Sequence, residues 1–291
     1  MMIAHVALGM WMLAASPHVH AAPLDTAQIE QLTGAKGKLD RPTGVFKVTA
    51  PRTDLAVTVG GVKLSPASGL ASWAAFQAIG AETMVMGDML VTEDQVNPVL
   101  STALDNGLAV TALHSHFLGE TPRLLYMHVG GTGRLETLAG AIGKVLARVR
   151  EPGAPLPTAD IDPSQSHLDL EKLMTVLGHR GDLSGGVYKV VVGRTAHLHG
   201  HAMGASMGVN TWAAFWGTDE RAAVDGDVVM KENELQAVLK ALRHEDLQIV
   251  AIHQHMTGEE PRLMFLHYWG VGRSADLARG VRAALDLTRS P

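Results

Sequence analysis

Residues 112–133 read ALHSHFLGETPRLLYMHVGGTG, and residues 251–272 read AIHQHMTGEEPRLMFLHYWGVG. Both stretches place a His-x-His pair before a Gly-Glu and Pro-Arg turn, and both return with a single His. Aligned without gaps, the longer segments Trp73–Gly133 and Trp212–Gly272 are identical at 22 of 61 positions, ten of them in the last 20. A shared fold alone favours matching apolar positions, whereas these matches include His, Glu, Pro and Arg. The repeat therefore indicates a polar functional site as well as a duplicated fold.

The duplication extends beyond these segments. Gly44–Val48 (GVFKV) matches Gly186–Val190 (GVYKV) at all but one position. Residues 151–163 are rich in Pro and are typical of a linker. The chain is thus predicted to be a tandem duplication, with a first unit at 25–150 and a second at 164–291.

Apolar patterning predicts the local structure of each unit. Alternation predicts strands at Val45–Thr49 and Val187–Val192. Helical spacing predicts a helix after Thr92, which can form a capping box with Gln95. Pro98 lies inside this pattern and predicts a kink or a later helix start.

Two further apolar stretches, Thr83–Val91 and Ala222–Met230, are predicted strands that a central Gly-Asp pair breaks. Trp73 and Trp212, each three residues before a Phe, are predicted to lie in the core. The order strand–helix–strand–strand–helix is typical of an α+β fold. We expect each unit to be a mainly antiparallel sheet with helices on one face, in a ferredoxin-like arrangement. The two homologous units are expected to pack as a pseudo-dimer.

Composition narrows the classes of function. The chain has 291 residues, 46% of them hydrophobic, and a formal charge of −5. This mild charge predicts neither a nucleic-acid partner nor electrostatic attachment to a membrane. The absence of Cys excludes disulfides, Cys-based zinc sites, a thiol nucleophile and an acylated Cys anchor. Any soft ligand for a transition metal must therefore be His or Met.

The N-terminus predicts export. Ile3–Ala15 is apolar but too short to span a bilayer, and small residues follow near Ala21. Residues 1–22 are accordingly interpreted as a signal peptide, which predicts a periplasmic or secreted protein without a membrane anchor. The alternative is a buried N-terminal helix.

The His-x-His pair predicts a metal site. His114 and His116 share one face of a strand, and the return strand brings His128 to that face, opposite His114. The second copy offers the matching set His253, His255 and His267. Three imidazoles that leave one side of the metal open are the ligands expected of catalytic zinc. We therefore expect a divalent transition metal at this site, and zinc is the first candidate. The alternative is a set of structural or surface histidines.

Other side chains of the hairpin suggest roles around that metal. Glu120 and Glu259 are candidates for a fourth ligand or for a general base acting on bound water. Arg123 and Arg262 are candidates for holding the carboxylate or phosphate of a small anionic substrate. The alternative for each Arg is an ordinary surface ion pair.

The two halves are not predicted to be equivalent. His197, His199 and His201 recur at period two in the second unit, and the matching stretch Leu55–Val59 has no His. They could add ligands to the second site or form a separate soft-metal patch with Met203. The alternative is an exposed Gly-rich loop. The second hairpin is therefore the better candidate for the working site.

These motifs resemble a known family. The tandem Trp-Ala-Ala-Phe, Gly-Asp and His-Ser-His-Phe-Leu-Gly-Glu-Thr-Pro-Arg strings are similar to the LppY/LpqO-like family of exported bacterial proteins, over nearly the whole chain. That family is defined by a domain of unknown function, so the resemblance implies architecture and export, without an activity. Its lipoprotein members carry an acylated Cys, whose absence here implies a soluble form.

A second resemblance is confined to one motif. His114-x-His116 followed by His128 is similar to the zinc-binding segment of acetolactate decarboxylases. It implies a three-His zinc site and chemistry on small oxo-acids. Three functions stay open on the sequence: a metalloenzyme, either hydrolase or lyase; a metal-handling protein without turnover; and a ligand-binding module with structural histidines.

Overall fold

The computed structural model describes residues 23–288. The predicted signal peptide, residues 1–22, lies outside this range. Within it, no helix is both long and apolar enough to cross a membrane.

The described residues form two halves with the same order of helices and strands, except that a short strand at Glu120–Thr121 in the first half corresponds to a single bridge residue, Glu260, in the second. The first half consists of α1 (Thr26–Thr33), β1 (Lys36–Asp40), β2 (Val45–Pro51), β3 (Thr58–Val59), β4 (Val62–Lys63), β5 (Ala71–Ile79), β6 (Glu82–Thr92), α2 (Val96–Asp105), β7 (Ala109–His114), β8 (Glu120–Thr121), β9 (Leu124–Gly133) and α3 (Leu135–Val149). The second consists of α4 (Leu170–Leu177), β10 (Asp182–Ser184), β11 (Val187–Gly193), β12 (Ala196–Leu198), β13 (His201–Met203), β14 (Asn210–Gly217), β15 (Ala222–Lys231), α5 (Leu235–His244), β16 (Gln248–His253), β17 (Leu263–Gly272) and α6 (Ser274–Leu287).

Both halves contribute to one 12-stranded sheet, in the order β1-β2-β5-β6-β9-β7-β16-β17-β15-β14-β11-β10. Neighbouring strands of this sheet run antiparallel throughout, including β7 and β16, where the halves meet at Ile252 and Leu113. The mixed α+β class with a mainly antiparallel sheet is therefore as predicted. Counted outwards from the β7–β16 boundary, the strands of each half come in the same order as their counterparts in the other half.

All six helices of the described residues cover one face of the sheet. Along β5, for example, Ala74 and Phe76 are buried in the same core as Ile142 of α3 and Leu100 of α2. The opposite face carries two small apolar clusters instead. One contains Tyr126 and lies beside the hairpin β3–β4; the other contains Phe265 and lies beside β12–β13. This second face is left open to solvent between the clusters.

The ends of the predicted elements agree with local sequence signals. Asp25 and Asp169 each cap a helix N-terminus by accepting a hydrogen bond from a backbone N–H of the first turn. The capping box of Thr92 and Gln95 is present before α2. Pro98 is the third residue of that helix, where no N–H is needed, so the predicted later start is confirmed.

The predicted breaks at the Gly-Asp pairs are wrong. Gly87-Asp88 and Gly226-Asp227 lie in the middle of the continuous strands β6 and β15. Gly226 is required by packing, because a Cβ there would collide with the hydroxyl oxygen of Tyr268 and with the backbone of Trp212. The glycines thus mark a close approach inside the sheet.

A β-bulge in each half sets the register of the His-bearing strand. The pairing of β16 with β17 shifts between Ile249 and Ala251, and the pairing of β7 with β9 shifts between Val110 and Ala112. A single-residue shift moves every later side chain to the other face of the sheet. Without it, the His-x-His pair would point towards the helices.

Each bulge is held by an amide side chain from the other half. Asn97 of α2 accepts from the Ile249 N–H at 2.7 Å and donates to the Ile249 carbonyl at 3.2 Å. Gln236 of α5 accepts from the Val110 N–H at 2.9 Å and donates to the Val110 carbonyl at 2.8 Å. The two halves therefore satisfy each other's backbone at the point where the ladders shift.

We predict that Asn97→Ala lowers the free energy of unfolding by about 1–3 kcal/mol, because it leaves the buried Ile249 N–H and carbonyl without partners. Urea denaturation measures the change. Gln31→Ala, which removes an exposed amide from α1, is the control and should change stability little. Equal stabilities for the two variants would contradict the role assigned to Asn97.

Candidate functional site

The candidate site lies on the open face of the sheet, where neighbouring strands of the second half place polar residues in one row. Trp212 of β14 pairs with Asp227 of β15, Asp227 pairs with His267 of β17, and His267 pairs with Ala251 of β16. Residues directly opposite each other in a sheet share a face. The row thus places a buried carboxylate and an imidazole side by side.

The His-x-His pair joins this row from the end of β16. His253 is the last residue of the strand and pairs with Phe265, two residues from His267. The ring of His253 lies 4.9 Å from the ring of His267 and 5.2 Å from the ring of His255, between centroids. The ring of His255 stacks on Phe265 at 3.5 Å. Three imidazoles therefore converge, as predicted. His253 and His267 are diagonal neighbours on strands β16 and β17, and they do not lie directly opposite each other.

The predicted direct pairing across the hairpin is wrong in both halves. His128 pairs with Ala112, and His114 pairs with Tyr126, so the register is displaced by two residues from the predicted one. A displacement by two keeps all three histidines on the same face. The common face predicted from the spacing is thus correct, while the partner of each His is not.

The side-chain donor atoms of the second half form a compact group. Asp227, His253 and His267 each offer an atom, and these atoms lie within 4.8 Å of one another. The Nε2 atom of His255 lies 3.3 Å from the Oδ2 atom of Asp227. Two imidazole nitrogens and a carboxylate oxygen at this spacing, with a third imidazole next to the carboxylate, suit a transition metal ion with mixed N/O ligands.

Backbone carbonyls orient two of these rings. The Nδ1 atom of His255 donates to the Gly208 carbonyl at 3.2 Å, and that of His267 to the Gly226 carbonyl at 3.3 Å. Such contacts fix the ring and its tautomer and leave Nε2 for a metal. The Nε2 atom of His253 is buried and has no hydrogen-bond partner among the described residues. A buried polar nitrogen without a hydrogen-bond partner destabilises a folded protein, and a cation bound to that nitrogen would remove this destabilisation.

The surroundings of His253 favour its neutral imidazole form. Burial lowers the pKa of His253, against the opposing influence of the Asp227 carboxylate, and the charges of His267 and His255 lower it further. Neutral imidazole is the form that binds a metal. Burial thus favours the metal-binding form of His253 at neutral pH.

The first half carries the same residue types, with a longer distance between carboxylate and imidazole. The rings of His116 and His128 each lie 5.1 Å from that of His114, much as in the second half. The Nε2 atom of His116 is 3.9 Å from the Oδ2 atom of Asp88, against 3.3 Å for the equivalent pair in the second half. Among the described residues, only the second half brings three such ligand atoms within 4.8 Å.

Tyr126 accounts for part of this difference. Its hydroxyl donates to the Gly69 carbonyl at 3.3 Å. Gly69 is the counterpart of Gly208, whose carbonyl orients His255, and Tyr126 is the counterpart of Phe265, which has no hydroxyl. The Tyr126 hydroxyl thus occupies the carbonyl whose counterpart orients His255. The stacking itself is shared, because His116 lies on the Tyr126 ring at 3.3 Å as His255 lies on Phe265 at 3.5 Å.

The sequence patterns do not predict the carboxylates of this site, Asp88 and Asp227, as ligands. The sequence signal that marks them is the Gly-Asp pair repeated inside an apolar strand, which by itself predicts only a break. A buried Asp in a central strand requires partners, and Asp227 has them: the Leu266 N–H at 3.1 Å and His255. The Oδ1 atom of Asp88 is buried without a partner among the described residues.

The predicted Glu residues face the hairpin backbone. Glu259 is 2% exposed, and its Oε1 atom accepts from the Leu263 N–H at 2.8 Å. Glu120 accepts from the Leu124 N–H at 3.2 Å. Neither belongs to the compact group of ligand atoms. These contacts assign both Glu residues to holding the turn, and their role as base or ligand stays a prediction.

The predicted Arg residues lie in ion pairs on the surface. Arg123 lies 3.5 Å from Glu93, and Arg262 lies 3.4 Å from Glu232, with both Arg side chains about 60% exposed. The alternative of an ordinary surface ion pair thus describes their geometry.

The three extra histidines do not lie along one strand. His197 belongs to β12 and His201 to β13, while His199 has a positive φ of 52° and forms the turn between them with Gly200. The predicted period-two row is therefore wrong, because the chain reverses in its middle. The hairpin instead pairs through its backbone, between His197 and Glu260, with the loop that carries Glu259.

Trp73 and Trp212 are half-buried on the open face, and the prediction that they lie in the core is wrong; Phe76 and Phe215 point to the core. The ammonium of Lys189 lies over the Trp212 ring, 4.2 Å from its centroid, as Lys47 lies over Trp73 at 4.0 Å. Trp212 also contacts His267 edge to face, at 6.4 Å between centroids.

Comparison with known proteins identifies a family. The model of the family described as Domain of Unknown Function (DUF1259) matches residues 27–148 and 171–287, one region in each half. No curated protein matches the sequence. Two solved structures are distantly similar: a trimeric bacterial microcompartment shell protein, PduB, and EtuB from Clostridium kluyveri.

These two structures differ widely from this chain in sequence and shape. PduB is 12% identical, with 86% of this chain and 89% of that chain covered and a TM-score of 0.20. EtuB is 10% identical, with 88% and 90% covered and a TM-score of 0.21. Such TM-scores indicate nothing about function.

We predict that the metal-free protein loses stability as the pH falls from about 6.5. Because burial lowers the pKa of His253 in the folded state, the unfolded state takes up its proton at a higher pH, and unfolding becomes more favourable below that value. Thermal unfolding between pH 7.5 and pH 5 in a chelator measures the effect. His253→Gln should flatten the profile, whereas the exposed control His244→Gln should follow the wild type.

Proposed function

We propose that this chain, which belongs to the DUF1259 family of domains of unknown function, is a metal-binding protein that holds one divalent transition ion in its second half. Zinc is the preferred ion. The observation that carries the proposal is the buried Nε2 atom of His253. It has no hydrogen-bond partner within residues 23–288, and a ligand atom of His253 lies within 4.8 Å of those of Asp227 and His267. An ion would satisfy this nitrogen and pair with the carboxylate.

The donor set supports this class of ion. Imidazole nitrogens with one carboxylate are ligands typical of zinc and its first-row neighbours. Calcium and magnesium prefer sets made of oxygen atoms, which this group does not offer. The second half is the better candidate, because the Gly208 and Gly226 carbonyls orient two of its rings.

We further propose that the protein acts on a small anionic substrate as a hydrolase or lyase. A metal site at the open face of a sheet, next to a pocket, supports a role beyond structure. Handling of the metal without turnover is the alternative. The two are distinguished by whether the bound ion accepts an added ligand, because a catalytic zinc keeps one position open.

We also propose a ferredoxin-like topology for each half, a pseudo-dimer of the two halves, and export of the protein. The segment β6–α2–β7–β9–α3 has β9 between β6 and β7, an order shared with the split βαβ unit of ferredoxin-like folds. The reciprocal amides at the bulges support a pseudo-dimer of two such units. The N-terminal pattern supports export to the periplasm or beyond, as in the LppY/LpqO-like family.

We predict one tightly bound ion per chain. Asp227→Asn and His255→Ala should each lower zinc affinity by at least about tenfold. The first removes the charge of a proposed ligand, and the second removes the imidazole that lies 3.3 Å from that ligand. The matched variants of the first half, Asp88→Asn and His116→Ala, should retain the ion. Elemental analysis after dialysis, with the melting temperature in zinc and in chelator, measures both. Wild-type protein that binds no metal would refute the proposal.

A second prediction tests the asymmetry of the halves. Phe265→Tyr places a hydroxyl next to the Gly208 carbonyl, where it competes with His255, and should weaken zinc binding by about tenfold. Tyr126→Phe frees the Gly69 carbonyl for His116 and should increase metal uptake by the first half. Zinc titrations of both variants decide the matter, and unchanged affinities in both would remove Tyr126 as the cause.

A further inference from the structure

The geometry points to a binding site for a small carboxylate anion beside the metal group, with Lys189 as its cationic contact. The inference rests on the proposed function for the identity of the neighbouring ion. The site is a pocket of about 470 Å³ on the open face of the sheet. The four proposed metal-binding residues, called the metal group, are Asp227, His253, His255 and His267. Two of them, Asp227 and His255, line the pocket.

The opposite wall of this pocket supplies a positive charge. Lys189 of β11 lines the pocket and lies exposed, with its ammonium over the Trp212 ring. It forms no ion pair within 4 Å in the part of the chain that the structure describes. Asp225 lies on the same face, because Lys189 and Asp225 both pair with Ala214, but it forms no ion pair with Lys189 within 4 Å. The ammonium is thus held in place and available to a carboxylate.

Trp212 connects this cation to the metal group. One face of the ring contacts Lys189, and the ring also contacts His267. Trp212 itself lines the pocket. A ligand between Lys189 and the metal group would therefore meet a positive charge at one end and the ion at the other, across a rigid aromatic wall.

The rim of the pocket differs between the halves. Ser206 and Asn210 line it in the second half, and the counterparts in the first half are Ala67 and Ala71. The Lys and Trp pair is present in both halves. The second half thus adds hydrogen-bonding groups to a shared cationic wall, in the half that has the compact metal group.

Arg262, the cation predicted from the sequence, does not line this pocket. It lies in an ion pair with Glu232. Lys189 takes over the role that the sequence suggested for Arg262. The pocket is open and small, so its occupant is a small organic anion such as a hydroxy acid, whose second oxygen can face the ion.

Glycolate is a suitable probe for the full-length protein loaded with cobalt(II). We expect glycolate to change the visible spectrum of the bound cobalt and to bind measurably by calorimetry. Lys189→Met should weaken glycolate binding by about tenfold or more without changing metal content, because one charge-assisted contact is lost. The matched control Lys47→Met, in the first half, should bind glycolate as the wild type does. The neutral analogue glycolamide should bind equally to Lys189→Met and to the wild type.

The outcomes separate this inference from the proposed function. If the wild type holds cobalt but does not bind glycolate, or if Lys189→Met binds it with wild-type affinity, the anion site is refuted while the metal proposal stands. If the protein takes up no metal, the metal proposal is refuted, and glycolate titration of the metal-free protein decides the anion site. Binding that depends on Lys189 would support the site there, and no binding would refute it.

Discussion

The structure depends on a pair of β-bulges that each half stabilises in the other. The bulge near Ile249 turns the following His-x-His pair to the open face, and the Asn97 side chain of the first half satisfies the backbone there. Gln236 does the same for Val110. Since a shift by one residue exchanges the faces of a strand, these two amides determine whether the histidines meet the sheet's polar row or its apolar core. The site of one half therefore requires the other half.

The two halves are copies of one scaffold that differ in the geometry of their histidines and carboxylates. Both keep the row of Trp, Asp and His across three strands. The difference arises from single groups around that row, because a hydroxyl at Tyr126 takes a carbonyl that its counterpart Phe265 leaves to His255. Losing one orienting contact lets an imidazole move away from its carboxylate, and a group of metal ligands tolerates little such movement. The first copy thus retains the scaffold without the compact geometry.

Much of the fold and part of the site could be predicted from local patterns. The capping box at Thr92 and the helix after it follow from residues close in sequence. The common face of His253 and His255 follows from the period of a strand. Asp227 could not be recognised as a site residue, because its role depends on strands β14 and β17, which lie on either side of it. The surface ion pair of Arg262 likewise depends on a residue far away in the chain, Glu232.

By itself, the sequence determined the duplication, the α+β class and the common face of the histidines, because all of these are encoded in periodicity and in repeated strings. Only the tertiary structure decided the register of the hairpin, the half that assembles a compact group and the cation that faces its pocket. These depend on a bulge, on a carbonyl of a distant loop and on a Lys from an outer strand. Each is a contact between residues far apart in the chain, where a displacement of one or two residues changes the partner. Local sequence preferences do not encode such displacements.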